Sequence, residues 1–309
     1  MLDELLSFWQ AGKIDAERDS AAEAVRGAVQ EDSAWGFAFA REMRRREIWN
    51  AELWKSVIRG WNQPGPGSGQ WPAVLRLLAD CPAIVSVAAR EIALLLERGI
   101  SGDLQPIEGP HVGDALKLGM QVWSVLASQQ EQPLKEAEEW LTVAVNRSAG
   151  ILMEFELRAL WQLKKEAGSS WRGLPSNLKE HLTSVVNGRS WAAELARVVL
   201  ASGVYTFFQL DADWTLENVL ALFDWKVDPR RAQQAWHGYL VWGRWSEDII
   251  GRFLLYYVQT FPEIGTRLGR FRRQFCEHLA AITLFSTIHP LDSGWLASAL
   301  GKSFPLVLH

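Results

Sequence analysis

Residues 222–245, LFDWKVDPRRAQQAWHGYLVWGRW, hold four tryptophans, Trp225, Trp236, Trp242 and Trp245, beside three arginines in 24 residues. Their punctuation is helical. Asp228 stands before Pro229, so its carboxylate can accept from free first-turn N–H groups while proline occupies the position where a missing N–H costs nothing. A helix is expected from Pro229 to about Trp242. Ser246 and the acids Glu247 and Asp248 then precede the apolar run IIGRFLLYYVQTF, which predicts a second helix one short turn later and an antiparallel pair. Trp236, Trp242 and Trp245 are spaced by six and three residues, which spreads them along neighbouring parts of one surface. Most are expected in the core, with Trp225 and Trp245, nearest the loops, partly exposed.

The same pattern extends outward. Pro82, Pro133 and Pro290 also open apolar-periodic runs, Asn50 opens NAELWKSVIRGW, and Asp213 opens DWTLENVLALF. In REIALLLERG, residues 90–99, an apolar stripe is flanked by charges and closed by glycine. No segment alternates convincingly as a strand does. The expected fold class is therefore all-α, with antiparallel helix pairs stacked as a HEAT-like α-solenoid and a compact helical bundle as the competitor. The domain reading is one elongated unit over residues 1–309. A soft boundary is expected at the Gly/Pro-rich loop 99–113, and weaker breaks at 62–72 and 168–176.

Composition narrows function by exclusion. The chain has 309 residues, 17 tryptophans, four tyrosines and a formal net charge of -4, so it lacks the global positive charge of a dedicated nucleic-acid or anionic-membrane binder. Its two cysteines, Cys81 and Cys276, form neither a C-x-x-C pair nor a disulfide framework. The N-terminal MLDELLSFWQAGK carries acids where a signal peptide needs positive charge, and the most apolar later segment, 198–210, is too short to cross a bilayer. A cytoplasmic protein with no membrane association is expected.

No catalytic, metal or cofactor site is expected. The loop GPGSGQW offers Gly65, Gly67 and Gly69 ahead of a helix, but lacks the G-K-[ST] ending and a preceding strand, so a plain linker is favoured over a phosphate cradle. The aspartate groups Asp211 with Asp213 and Asp224 with Asp228 sit at helix ends, where capping accounts for them. Cys276 and His278 are two apart and do not share a helix face, and His237 and His289 complete no ligand spacing.

Arginine is the remaining signal. REMRRRE at 41–47 and RLGRFRRQF at 267–275 concentrate basic residues in an acidic chain. Arg267, Arg270, Arg272 and Arg273 are the alternative nucleic-acid patch, since arginine beside aromatics suits phosphate pairing and base stacking. The favoured surface is a protein-binding one: Arg230, Arg231, Arg244 and Trp245, residue types that dominate interface hot spots.

Residues 204–254, with Asp213–Trp214, LFDW at 222–225, Trp236 and GRW at 243–245, resemble the uncharacterised all-helical region that follows sirtuin-like domains in bacterial proteins linked to phage defence. NAELWKSVIRGWN and HPLDSGWLASAL fit the same pattern. The resemblance implies a sensing or regulatory scaffold whose partner is a phage protein or a sirtuin-like effector domain. It assigns no catalytic residue here, and the NAD-consuming domain of those longer proteins has no counterpart in this sequence.

Overall fold

The structure, a computed structural model, describes residues 15–67, 69–129, 139–290 and 294–297. Among these residues every regular element is helical. The all-α expectation holds. Two compact units are present, the first made of residues 1–129 and 154–167, the second of 130–153 and 168–309.

The first unit contains α1 (Asp15–Glu31), α2 (Ser33–Arg45), α3 (Ala51–Trp61), α4 (Trp71–Ala79), α5 (Pro82–Ser101) and α6 (Gly109–Ser128). Asn50 caps α3 by accepting from Leu53 N at 3.0 Å, as its position predicts. Trp54 and Trp61 are completely buried. An indole N–H taken from water needs an acceptor, and each has one: Trp54 Nε1 donates to Ile48 O at 2.9 Å and Trp61 Nε1 to Ser33 O at 3.3 Å. Glycine permits the close packing around them. A Cβ on Gly60 would lie 2.5 Å from Val29 Cβ, and one on Gly36 would lie 2.7 Å from Val29 Cγ1.

α7 (Trp140–Val145) belongs to the second unit, and α8 (Ser148–Ala167) is divided between the units at residues 153 and 154. The second unit continues with α9 (Ser176–Asn187), α10 (Trp191–Ser202) and α11 (Val204–Leu210), then the short helical turns Ala212–Trp214, Thr215–Val219 and Leu220–Phe223. It goes on with α12 (Pro229–Trp242), α13 (Glu247–Thr260) and α14 (Arg272–Phe285). Asp228 caps α12 by accepting from Arg230 N and Arg231 N, both at 3.1 Å.

The core of this unit is an aromatic cluster centred on the buried Trp236. Its ring lies 5.2 Å from Phe223, 4.9 Å from Tyr257, 5.4 Å from Phe275 and 5.6 Å from Phe253. Edge-to-face geometry prevails, as the ring quadrupoles favour. α10 and α12 meet backbone to side: a Cβ on Gly238 would stand 2.3 Å from Val198 O.

Several local expectations change. The stronger expected boundary, 99–113, is internal to the first unit, because Ile107 N donates to Gly99 O at 2.9 Å and Ile107 is 1% exposed. The weaker break at 168–176 is where the second unit resumes. Asp211, not Asp213, caps the turn that follows it, accepting from Trp214 N at 3.0 Å. Ser246 precedes α13 as expected, but its hydroxyl makes no cap bond and is buried without a partner. Pro133 lies outside the described residues, and Pro290 stands in a turn.

Candidate functional site

The expected protein-binding residues divide into two kinds. Arg230, on the first turn of α12, donates through Nη2 and Nε to Glu194 Oε2 at 3.1 and 3.3 Å, and its guanidinium lies 5.1 Å from the Trp140 ring centroid. Glu194 also accepts from Gln234 at 3.0 Å. Arg231 Nε lies 3.8 Å from Asp228 Oδ2. Arg230 joins α12 to α10 and α7, while Arg231 pairs with the cap of its own helix, so the charge of both is largely committed within the unit.

Behind them is Arg197, which the sequence reading passed over. It is 6% exposed on the apolar helix α10, where its Nη1 donates to Gly188 O at 2.6 Å and Val186 O at 3.3 Å, the carbonyl end of α9. A cation suits that end of a helix dipole. Burial, and then the charge of Arg231, bring its pKa down to about 10. An arginine amid WAAELARVVLAS, following a glycine that closes the preceding helix, was the available signal.

Arg244 and Trp245 occupy the turn after α12. Arg244 is exposed and makes no ion pair among the described residues, while Trp245 is half-buried. The expected exposure of Trp225 is reversed. It is 7% exposed, and its Nε1 donates to Thr260 Oγ1 at 2.7 Å, which anchors the loop to α13. Of the four tryptophans of residues 222–245 the exposed one is Trp242, at 53%, with Val241 beside it in sequence.

A second pair of apolar side chains reaches the same end of the unit. Leu284 and Phe285, on the last turn of α14, are each about three-quarters exposed, at 73% and 74%. Immediately after them, Thr287 N and Oγ1 donate to Glu247 at 2.9 and 2.8 Å, and Ser286 Oγ donates at 3.2 Å. Glu247 opens α13 only five positions after Trp242. Its bonds therefore hold the end of α14 beside the α12–α13 turn. These hydroxyl and backbone donors also keep the Glu247 carboxyl below its usual range. Exposed apolar side chains thus stand at the ends of both helices, Val241 and Trp242 on α12 and Leu284 and Phe285 on α14, and the exposed Arg244 follows in the turn after α12.

The alternative nucleic-acid patch is mostly neutralised internally. Arg267 pairs with Glu263 at 3.2 Å, Arg273 with Glu277 at 2.7 Å, and Arg270 with Glu139 while stacking on Phe271. Arg272 alone of the four is exposed without an ion pair among the described residues. The other basic run behaves likewise: Arg45 and Arg46 both bond Glu42, holding its carboxyl at about 2, and Arg44 lies 3.6 Å from Asp80. Arg41 sits over Phe37.

The first unit contains two features that residue patterning did not reveal. Glu97 and Glu154 are half-buried near Arg158, and burial raises both carboxyl pKa values. Arg158 Nη1 is 3.6 Å from Glu97. A cleft of about 290 Å³ opens between the first turns of α4 and α6, lined by Trp71, Pro72, Gln105, Pro106, Glu108 and His111. Gly69, from the glycine-rich loop, also borders it. Among the described residues no group of three or more His, Cys, Asp or Glu is placed to hold a metal ion, and no helix is long and apolar enough to cross a membrane. No protein-family model, curated protein or solved structure matches the chain.

Proposed function

We propose that this protein is a non-enzymatic scaffold of antiparallel helix pairs, stacked in the HEAT-like manner, that binds a protein partner through the apolar end of its second unit. The observation that carries this reading is the exposure of Val241 and Trp242 at the end of α12 and of Leu284 and Phe285 at the end of α14, with an arginine, Arg244, that makes no ion pair among the described residues. Contiguous apolar groups rimmed by charge are costly in water and mark interaction surfaces. Aromatic side chains and arginine supply most interface energy once desolvated. Arg244 and Trp245 remain in the proposed contact, joined by Trp242 and Phe285, whereas Arg230 and Arg231 support it from within.

The resemblance of residues 204–254 to the helical regions of sirtuin-linked defence proteins supports a sensing or regulatory role in bacterial phage defence. It makes a phage protein or a sirtuin-like effector domain the proposed partner, met in the cytoplasm. Affinity capture from infected and uninfected cells, with wild type and a folded Trp242→Glu variant, tests the reading. A partner retained by wild type and lost by the variant supports it. Equal retention, or no partner in either culture, rejects it.

A further inference from the structure

We propose that the cleft between α4 and α6 in the first unit binds a planar nitrogen heterocycle carrying an exocyclic amino group beside a ring nitrogen, the edge shared by aminopurines and aminopyrimidines. This site is independent of the protein-binding end of the second unit. Its volume, about 290 Å³, is at the lower end for small-molecule pockets and suits one ring system rather than a dinucleotide.

The apolar wall is preformed. Trp71 is 3% exposed, and its Nε1 donates to Gln105 O at 2.8 Å, which anchors the indole in place. Gly99 leaves room behind it, since a Cβ there would stand 2.6 Å from Trp71 Cζ2. The rings of Pro72 and Pro106 extend this stiff surface. A flat ligand meeting stiff walls loses little conformational entropy and imposes little ordering cost on the protein.

The polar groups choose the ligand's edge. Glu108 and His111 both line the cleft, and among the described residues neither side chain holds a hydrogen bond or ion pair. An ionised carboxylate only accepts, while a neutral imidazole offers one donor and one acceptor. Glu108 therefore disfavours anions and asks for an N–H. His111 can donate to an acceptor alongside it. An amino group next to an unprotonated ring nitrogen satisfies both.

Ligand-observed saturation-transfer NMR on the full chain, with adenine as probe and purine as the control lacking the amino group, tests the assignment. Saturation transfer to adenine is expected, with purine bound roughly tenfold more weakly, the effect of one charge-assisted hydrogen bond. Glu108→Gln should weaken adenine by a similar factor, and His111→Ala should also weaken it. Glu108 is exposed and His111 half-buried, so unchanged circular dichroism of both variants is expected and confirms that any loss is local. Absence of transfer to adenine at millimolar concentration, equal binding of purine, or adenine binding unaltered by both substitutions overturns the proposal.

Discussion

Arg230 donates through Nε and Nη2 to a single carboxylate oxygen of Glu194, at 3.3 and 3.1 Å. The pair lies between α12 and α10, and Trp140 covers the guanidinium from α7. An arginine that looks from sequence like a contact for another molecule is here a clasp between three helices of one unit. Arg230→Ala is therefore expected to lower stability by about 1 kcal/mol, the sum of a partly exposed ion pair and an exposed cation–π contact. Arg230→Lys should recover only part, because ammonium neither forks nor stacks as guanidinium does. Urea midpoints decide this; wild-type midpoints in both variants would show that the clasp contributes nothing.

The α10–α12 crossing makes a sharper demand. Alanine in a helix interior is usually favoured over glycine by about 1 kcal/mol. At Gly238 the added Cβ would meet the Val198 carbonyl at 2.3 Å, a backbone atom that cannot yield without moving α10. Overpacking costs about 1–3 kcal/mol, so Gly238→Ala should destabilise. Gly251 in α13 has its nearest neighbour, Ile288 Cδ1, at an ordinary 3.6 Å, and Gly251→Ala should stabilise by roughly 0.5–1 kcal/mol. Thermal unfolding of the two variants should shift in opposite directions, and a stabilised Gly238→Ala would mean that the helices cross less closely.

His237 gives the second unit a pH dependence of known sign. It is 3% exposed, and its Nε2 lies 3.1 Å from Arg267 O, so Nε2–H donates and the ring is neutral. Burial first, and the charge of Arg270 next, lower its pKa from 6.5 to about 4. The unfolded chain consequently binds more protons between those values. The stability from neutral His237 is full above pH 6.5 and is lost as pH falls towards 4, by about 3 kcal/mol over the window. Glu97 and Glu154, whose pKa values are raised, act with the opposite sign, so the difference between wild type and His237→Gln isolates the histidine. Denaturant midpoints at pH 7, 5.5 and 4 should converge between the two proteins as acid is added. Parallel profiles would remove His237 as the cause.

The parts of the fold legible in sequence were those governed by local chemistry. Asp228–Pro229 and Asn50 mark helix starts because a side-chain oxygen within three residues of a free N–H acts without tertiary help. Exposure was less legible because it depends on what crosses a helix. Trp225 is buried by Thr260, 35 residues away in sequence, while Trp242 is exposed because no described element covers the end of α12. The arginines show the same limit. Glu194 and Glu139, which neutralise Arg230 and Arg270, lie 36 and 131 positions away from them. The exposure of Leu284 and Phe285 depends likewise on tertiary placement, since the end of α14 is held by bonds from Ser286 and Thr287 to Glu247, about 40 positions away in sequence.

The most direct measurement is quantitative affinity capture from phage-infected cells with three folded proteins: wild type, the double variant Trp242→Glu/Phe285→Ser, and Arg230→Ala. Trp242 is 53% and Phe285 74% exposed, so the double variant should unfold within about 0.5 kcal/mol of wild type. The expected result is one reproducible partner held by wild type and by Arg230→Ala, and lost at least tenfold by the double variant. A partner held equally by the double variant, or lost only with Arg230→Ala, or absent throughout, would contradict the claim that the apolar end of the second unit is a protein-binding surface.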